Sequence, residues 1–375
     1  MKKILFITAF VPSPIAAGDK ITQEFISDLS KENLVDLIYY KYDWNNDYII
    51  PNKNVKVLRI VKNSIFKKIF NILLFPFIHP LFSVRFNWSI LNFIKKKIRV
   101  EQYDLVIFDH SQTFLFGKFL KDIPKLFIAH DVIVQRVSRT SNFFITYLTE
   151  YSEKYVLSAL KSKVFTFSLK DAKILKETYN IDAGVTNFYI DREILKVYPQ
   201  NIENSIIFIG KWARADNSDG LYWFLKEVHP LLPRNIIIKI IGVGLSEKIQ
   251  KIVCKYDNIV YLGFVDNPYI EISNAKVVAS PLFTGAGVKV KVIEALACGT
   301  PVIGTPIAFE GIPSMYSDFM IEAINAEQFA EKILDLDFSL EQRAAMKLHF
   351  INTYISGTIL SYTHDLLIPK CQIKL

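Results

Sequence analysis

The sequence has little cysteine: three residues in 375, at Cys254, Cys298 and Cys371. An odd number of scattered cysteines excludes a disulfide framework and a cysteine-based metal cluster, and it suits the reducing cytoplasm. Asp335 and Asp337 form an Asp-x-Asp pattern that can bind metal, but a capping pattern follows directly, which indicates an exposed acidic turn at a helix end. We therefore expect neither a bound metal nor a cofactor.

Long apolar runs are also absent. In the most basic part of the chain, the longest stretch without Lys or Arg, Ile69–Val84, contains two prolines and is shorter than the roughly 18–20 apolar residues of a membrane-spanning helix. The N-terminal run Ile4–Val11 is short and is followed directly by Pro12, so it predicts a buried first strand rather than a signal peptide.

Acidic residues are missing from one segment. Residues 51–100 contain eleven Lys or Arg and no Asp or Glu, and the remaining 34 basic residues are balanced by 37 acidic ones. Aromatic and aliphatic residues are interleaved with these charges, which favours an anionic membrane surface over nucleic acid as the partner. We therefore predict a cytoplasmic protein associated peripherally with the inner face of the cell membrane. A solvated basic face over a core helix is the alternative.

The dinucleotide fingerprint Gly-x-Gly-x-x-Gly is lacking after the first strand, which argues against nicotinamide binding. The order of elements is still Rossmann-like: the pattern predicts a strand at Lys3–Phe10, a loop at Pro12–Lys20, a helix over Thr22–Ser30 and a strand at Leu34–Tyr40. A second pattern of this kind begins at Ile206–Ile209. The sequence therefore predicts an α/β protein with two Rossmann-like domains.

The length of 375 residues fits two domains. Weak periodicity and polar residues over Asn187–Ser205 predict the link between them. We place the N-terminal domain at residues 1–188 and the C-terminal domain at residues 189–349.

The stretch Pro281–Gly311 contains the strongest chemical signal. A turn of small residues, Gly285-Ala286-Gly287, is followed by Lys289 and Lys291 and by a short helix pattern that contains Glu294. Glycines let backbone amides approach phosphate oxygens, and the helix N-terminus and the lysines favour negative charge. A carboxylate beside such a site is suited to accept hydrogen bonds from ribose hydroxyls. The pattern therefore predicts a nucleoside diphosphate site.

Residues Gly285–Val302 resemble the donor-binding signature of retaining family 4 of the GT-B glycosyltransferases, Gly-x-Gly-x-Arg/Lys-x-Lys-x-x-Glu-Ala-x-Ala-x-Gly-x-Pro-Val. Many members carry a second glutamate eight residues before the one that matches Glu294, and Ala286 stands there in this chain. The resemblance implies two Rossmann-like domains that face each other across a cleft, with residues 350–375 crossing back to the N-terminal domain.

The resemblance also implies roles for individual residues. In the family, Gly18 would lie against the donor phosphates, Lys211 would be a phosphate-binding cation with help from Arg214, and His130 would face the donor sugar. A second family lysine is expected near position 217, where Asn217 stands. We also assign the phosphate loop with Lys291 to the donor, and His130 and Lys291 to catalysis. We further predict that His110 and Asp131 lie on the acceptor side; the alternative for a lone histidine is a structural hydrogen bond.

The resemblance implies transfer of a sugar from a nucleotide-diphosphate donor to an acceptor hydroxyl, with retention and without metal. We expect a glycan or lipid-linked acceptor in cell-surface polysaccharide, lipooligosaccharide or glycolipid synthesis, and no nucleic acid partner. Ala286 removes a candidate nucleophile, which favours front-face transfer. Two alternatives stay open: a nucleotide-sugar epimerase on the same scaffold, and a non-catalytic sugar-nucleotide-binding protein.

Overall fold

Parallel strands form two separate sheets in the computed structural model, which describes residues 1–13, 17–43, 45–62, 64–354 and 358–367. The strands are β1 (Lys3–Thr8), β2 (Leu34–Lys41), β3 (Val55–Lys62), β4 (Leu105–Asp109), β5 (Lys125–Ile128), β6 (Ser162–Thr166), β7 (Ala183–Val185), β8 (Glu203–Ile209), β9 (Ile237–Ile241), β10 (Ile259–Gly263), β11 (Ala275–Ser280), β12 (Val302–Gly304) and β13 (Met320–Glu322).

Helices connect these strands, as parallel pairing requires. They are α1 (Ala17–Glu32), α2 (Ile65–Leu74), α3 (Pro80–Ser83), α4 (Trp88–Glu101), α5 (Phe114–Lys118), α6 (Ile133–Ser138), α7 (Phe143–Leu157), α8 (Leu169–Tyr179), α9 (Arg192–Lys196), α10 (Ala215–Trp223), α11 (Glu247–Val253), α12 (Tyr269–Asn274), α13 (Val290–Ala297), α14 (Ala326–Asp335), α15 (Leu340–Thr353) and α16 (Thr358–Leu367). Shorter 3-10 helices lie at Ser111–Thr113, His229–Leu231, Pro306–Phe309 and Ser314–Phe319, and a π-helical turn lies at Phe224–Val228.

The chain divides into two compact units, Met1–Tyr189 with Ser356–Leu375 and Ile190–Ile355. In the first unit the strand order is β3-β2-β1-β4-β5-β6-β7, and every pair is parallel. The second unit has the order β10-β9-β8-β11-β12-β13, again with parallel pairs. Both orders begin as 3-2-1-4, the Rossmann arrangement. The predicted fold class is therefore confirmed.

The central strands are apolar and are buried on both faces of the sheet. In β1, residues 4–8 are all buried, and β4 is buried along its whole length. Such strands consist of nearly continuous aliphatic and aromatic residues because helices cover both faces of the sheet. This burial leaves the carboxyl ends of the strands as the places where polar side chains can face outward.

The segment that leads from the second unit back to the first was predicted to start at residue 350. In the structure α15 continues to Thr353 and belongs to the second unit, whereas α16 belongs to the first unit and contacts α1. Residues 368–375 of the predicted segment, with Cys371, lie outside the described residues.

The first helix starts earlier than predicted, at Ala17 instead of Thr22. Gly18 therefore lies in its first turn and not in a loop. The side chain of Thr22 donates a hydrogen bond to the Gly18 carbonyl at 3.1 Å, which is a bond within the helix. Glycine has a low helix propensity, and for that reason the sequence pattern placed the helix start too late.

The two longer helices of the basic segment, residues 51–100, differ in the side chains that they bury. The predicted alternative of a basic face over a core helix fits α4, which is capped by the Asn87 side chain and buries Ile90, Leu91 and Ile94. In contrast, α2 buries Asn71 and exposes a series of large apolar side chains: Ile65, Phe66, Ile69, Phe70, Leu73 and, just beyond the helix, Phe77. Among the described residues, no helix combines the length and apolar character needed to cross a membrane.

Candidate functional site

The predicted phosphate loop lies between β11 and α13 in the second unit. Gly285 and Gly287 adopt φ values of 119° and 69°, which are accessible to glycine without the steric cost that a side chain brings. The loop lies directly on α10, because a Cβ atom on Gly220 would be only 1.9 Å from the Pro281 carbonyl oxygen. The glycine turn therefore leads into the N-terminus of α13, as the sequence pattern predicted.

Lys289 stabilises the loop itself. Its Nζ atom donates hydrogen bonds to the Gly287 carbonyl at 2.6 Å and to the Ala286 carbonyl at 3.1 Å. The side chain thus closes the turn from which it emerges. Both of these hydrogen bonds go to backbone carbonyls of the loop.

Lys291 is the half-buried cation of this site. Its Nζ atom donates to Asn217 Oδ1 at 2.9 Å, and Asn217 Nδ2 donates to the Lys211 carbonyl at 3.2 Å. Burial lowers the pKa of Lys291 to about 8; Asp216 opposes this shift, whereas Lys289 and Arg214 add to it. The amine therefore keeps its proton at neutral pH but loses it at a lower pH than an ordinary lysine does, and a negative charge nearby would favour the protonated form.

Asn217 is a site residue that sequence reasoning missed, although its position had been noted as the place of a second family lysine. A lysine here would set two like charges against each other at hydrogen-bonding distance. The amide instead offers an acceptor to Lys291 and a donor to the Lys211 backbone. It therefore joins the phosphate loop to the turn after β8.

Lys211 and Arg214 were also predicted to bind phosphate, but their side chains have different surroundings from that of Lys291. The Lys211 side chain is exposed, and its backbone carbonyl is the group that contacts Asn217. The Arg214 guanidinium forms a two-bond ion pair with Asp216, with distances of 3.1 and 2.7 Å. Arg214 therefore has a carboxylate partner within its own helix start.

Glu294 has a partner that the sequence analysis did not foresee. The Tyr269 hydroxyl lies 3.0 Å from Glu294 Oε1 and 2.9 Å from Asp191 Oδ2. Burial and the two carboxylates raise the pKa of Tyr269, so the phenol keeps its proton. The contact arises because α12 brings a buried tyrosine beside α13.

A second polar centre lies in the first unit, at the carboxyl ends of β1, β4 and β5. Asp109 is its buried carboxylate: Oδ1 is 2.7 Å from His130 Nε2, and Oδ2 accepts hydrogen bonds from Thr22 at 2.7 Å and from Thr8 at 2.9 Å. Burial disfavours the charged carboxylate, but the nearby His110 and His130, with the hydrogen bonds, outweigh it and lower the pKa of Asp109. Asp109 was not among the predicted site residues.

The two predicted histidines lie together. The His110 and His130 rings stack with their centroids 3.8 Å apart and an angle of 13° between their planes. Burial lowers the pKa of His110 to about 3, in spite of the opposing charge of Asp109. Gly18 lies directly against this pair: a Cβ atom there would be 3.3 Å from His110 Cε1 and 3.7 Å from His130 Nδ1. The structure therefore brings Gly18, His110 and His130 together.

Asp109, His110 and His130 are also the one group of three metal-ligand side chains found among the described residues, with ligand atoms within 4.8 Å of one another. The sequence analysis did not identify this group. Two ligands of one zinc ion at tetrahedral angles are about 3.4 Å apart. The 2.7 Å between Asp109 and His130 is instead a hydrogen-bond distance, and stacked rings do not converge on one ion. This geometry fits a hydrogen-bonded network.

Asp131 follows His130 but faces elsewhere, since its carboxylate pairs with Arg136 at 3.2 Å. The next residues are held by Glu153, whose carboxylate accepts hydrogen bonds from the amides of Ile133 at 2.7 Å and Val134 at 3.1 Å. Burial raises the pKa of Glu153 to about 7. This glutamate fixes the peptide beyond His130, and no local sequence signal identifies it.

Comparisons with known proteins bear on the family and the fold. A family model described as "Glycosyl transferases group 1" matches residues 203–337, a range that contains the phosphate loop, Lys291 and Glu294. An uncharacterized 44.6 kDa protein in the cps region of Klebsiella pneumoniae is 28% identical over 142 residues, which are 35% of this chain and 36% of that protein. The match thus spans little more than a third of that relative's length.

Solved structures resemble the whole chain at low identity. WaaG, a glycosyltransferase involved in lipopolysaccharide biosynthesis, has a TM-score of 0.70 at 11% identity, over 97% of this chain and 100% of that chain. TarM of S. aureus has a TM-score of 0.72 at 13% identity, over 98% and 99% of the two chains. HepE of Anabaena, in complex with UDP, has a TM-score of 0.69 at 13% identity, also over 98% and 99%.

The chain therefore has the GT-B fold of glycosyltransferases. Residues 203–337, about a third of the chain, match the family model of group 1 glycosyl transferases. The predicted resemblance is confirmed at this level. Retention and the role implied for His130 stay predictions.

The buried position of His110 leads to a testable prediction. The ring should stay uncharged between pH 5 and pH 8, because burial holds its pKa at about 3. In this range the unfolded chain takes up a proton below a pKa of about 6.5 that the folded chain does not bind, so this residue lowers the stability as the pH falls. Histidine Cε1 resonances followed by NMR, with His110→Gln as the assignment variant, measure this directly. A titration midpoint above pH 5 would contradict the burial described here.

Proposed function

We propose that the protein is a glycosyltransferase that moves a sugar from a nucleoside-diphosphate donor to an acceptor hydroxyl, with retention and without a metal ion. The observation that carries this proposal is the combination of the glycine turn, the N-terminus of α13, the half-buried Lys291 and the adjacent Glu294 in one loop and helix. Amides and a cation face a diphosphate, and a carboxylate one helical turn further on faces a ribose.

The proposed chemistry places the developing charge at Lys291. The bond between the sugar C1 and the donor phosphate oxygen breaks, and C1 forms a bond to the acceptor oxygen on the same face. The acceptor proton moves to the departing phosphate, which leaves as the nucleoside diphosphate. A preorganised cation and helix amides stabilise charge that appears in this transition state, and they can take the place of a metal ion.

Ala286 supports front-face transfer over a double displacement. Its methyl side chain supplies no carboxylate at the position where many family members have glutamate. Without a protein nucleophile at that position, the departing phosphate is the base nearest to the incoming hydroxyl. Retention then follows from attack on the face that the phosphate leaves.

Two other functions remain as alternatives. A nucleotide-sugar epimerase could use the same nucleotide site, but it needs acid and base groups beside the sugar. A non-catalytic sugar-nucleotide-binding protein would keep the phosphate loop and lose the chemistry, and Ala286 is the observation that favours it. The two alternatives differ from a transferase in their products: an epimerised donor in one case and an unchanged donor in the other.

The activity test follows from this contrast. Incubation with UDP-glucose and other UDP-, GDP- and ADP-sugars in EDTA should release nucleoside diphosphate slowly by hydrolysis, and faster when a glycan or lipid-linked acceptor is added. Chromatography of donor, epimer and diphosphate separates the three functions. Recovery of activity only after magnesium or manganese is restored would reject the metal-free mechanism, and an unchanged donor under all conditions would favour the binding protein.

Glu294 provides the sharpest binding test. Glu294→Gln keeps the shape and an acceptor for Tyr269 but loses charge-assisted bonds to the ribose, which contribute roughly 1.5–3 kcal/mol each. Nucleoside diphosphate affinity should therefore fall about ten- to a hundredfold in calorimetric titration. Glu327→Gln, an exposed glutamate in the first turn of α14, is the matched control.

Lys291→Ala should lower kcat more than donor affinity, because it removes charge stabilisation in the transition state.

Equal affinities of wild type and Glu294→Gln would mean that the ribose lies elsewhere. A large loss of nucleotide affinity in Glu327→Gln would show that removing a negative charge from the second unit weakens binding whichever glutamate carries it.

We further propose that the acceptor lies at an anionic membrane surface, to which the first unit binds through α2. Phe66 is 85% exposed and Leu73 is 73% exposed, which is unusual for a helix so rich in apolar residues. The N-terminal turn of α7 adds Phe143 and Phe144, at 77% and 81% exposure, and both α2 and α7 contact α3. Exposed lysines accompany this surface at Lys67, Lys95 and Lys96.

Vesicle binding tests this proposal. Replacing Lys67, Lys95 and Lys96 by Gln should weaken binding to anionic vesicles by roughly 3 kcal/mol, or about a hundredfold, at about 1 kcal/mol per charge. Phe66→Ser with Phe70→Ser and Leu73→Ser should weaken it at all salt concentrations. Controls in the second unit replace Lys248, Lys251 and Lys255 by Gln, and Phe264, Ile270 and Ile324 by Ser. Equal sedimentation of wild type and both α2-region variants would reject the membrane contact.

A further inference from the structure

The Tyr269 hydroxyl lies between two carboxylates. Its oxygen is 2.9 Å from Asp191 Oδ2 and 3.0 Å from Glu294 Oε1, and the side chain is almost fully buried. A phenol carries a single proton, so it donates a full hydrogen bond to one of the two carboxylates at a time. The stronger acceptor of the two therefore takes the larger share of this proton.

Asp191 connects this hydroxyl to a helix start. Its other oxygen, Oδ1, accepts a hydrogen bond from the Glu193 amide at 2.9 Å and so caps the N-terminus of α9. Asp191 is also the second residue of the second unit, directly after the point where the chain leaves the first. One carboxylate thus holds both the tyrosine and the entry of the chain into the second unit.

The other end of α9 is fixed independently. The buried Lys347 of α15 donates hydrogen bonds to the carbonyls of Ile194 and Val197, the latter at 2.5 Å. These two bonds are made by a residue other than Asp191, so the N-terminal and C-terminal ends of α9 are held by different side chains.

Building on the ribose role proposed for Glu294, we propose that Tyr269 is a positioning residue that couples occupation of the ribose site to the N-terminal cap of α9. A ribose diol donates its hydroxyl hydrogens to the Glu294 carboxylate and so reduces the demand of that carboxylate for the phenol proton. The phenol then donates to Asp191. The Asp191 side chain is held more firmly, and the first turn of α9 opens less often.

Amide hydrogen exchange of residues 192–196 tests this coupling. It is followed in wild type, Tyr269→Phe and Tyr316→Phe, with whichever of UDP, GDP or ADP binds most tightly in calorimetry. Tyr316 is a buried tyrosine of the same unit whose hydroxyl contacts Thr353 at 2.9 Å, so Tyr316→Phe is the matched control. The 2′,3′-dideoxy form of the same nucleotide is added at saturating concentration.

In wild type and Tyr316→Phe, the nucleotide should slow exchange in the first turn of α9 at least threefold, and the dideoxy form should not. Tyr269→Phe should bind the nucleotide within about fivefold of wild type and show no slowing. A merely structural role of Tyr269 would change the exchange rate without nucleotide and leave the response intact.

Two other results would overturn parts of this account and are distinguishable. If wild type binds the nucleotide but α9 does not respond, or if Tyr269→Phe responds as wild type does, the coupling is wrong and the ribose site stands. If none of the three nucleotides binds to wild type, the proposed donor site fails, and the coupling fails with it.

Discussion

A parallel sheet presents the carboxyl ends of all its strands at one edge, and both polar centres of this protein depend on that constraint. In the first unit, the residues after β4 and β5 supply Asp109, His110 and His130. In the second unit, the turn after β8 and the loop after β11 meet because these two strands are neighbours in the sheet. The order of strands, rather than closeness in sequence, therefore decides which side chains can act together.

The two centres differ in how they handle charge. In the first unit a buried carboxylate is satisfied by hydrogen bonds from two threonines and a histidine, so its charge is retained at low solvent exposure. In the second unit the half-buried Lys291 has a neutral partner in Asn217, so its charge is less well compensated. The carboxylate of the first unit thus has hydrogen bonds that balance its charge, whereas the amine of the second unit would be stabilised by an anion nearby.

Much of the fold was predictable from the sequence, because runs of buried residues and glycine turns have short-range signatures. The phosphate loop was predicted for the same reason: Gly285, Lys291 and Glu294 lie within ten residues of one another. Asn217, Tyr269 and Asp191 were missed because their contacts join residues that are distant in the sequence. Asp109 was passed over in favour of the histidine beside it, since an aspartate at a strand end has no distinguishing local pattern. The late start assigned to α1 came from treating Gly18 as a loop residue.

The lowered pKa of Lys291 allows the charge of its side chain to change when an anion binds beside it. An amine with a pKa of about 8 is only partly protonated in mildly alkaline solution, and the arrival of a diphosphate beside it would draw in a proton. Donor binding would then be accompanied by proton uptake from the buffer, and release of the product diphosphate by return of that proton. The measured heat of binding would then include the ionisation heat of the buffer. The positive charge of the site would rise when the anionic ligand binds and fall when it leaves.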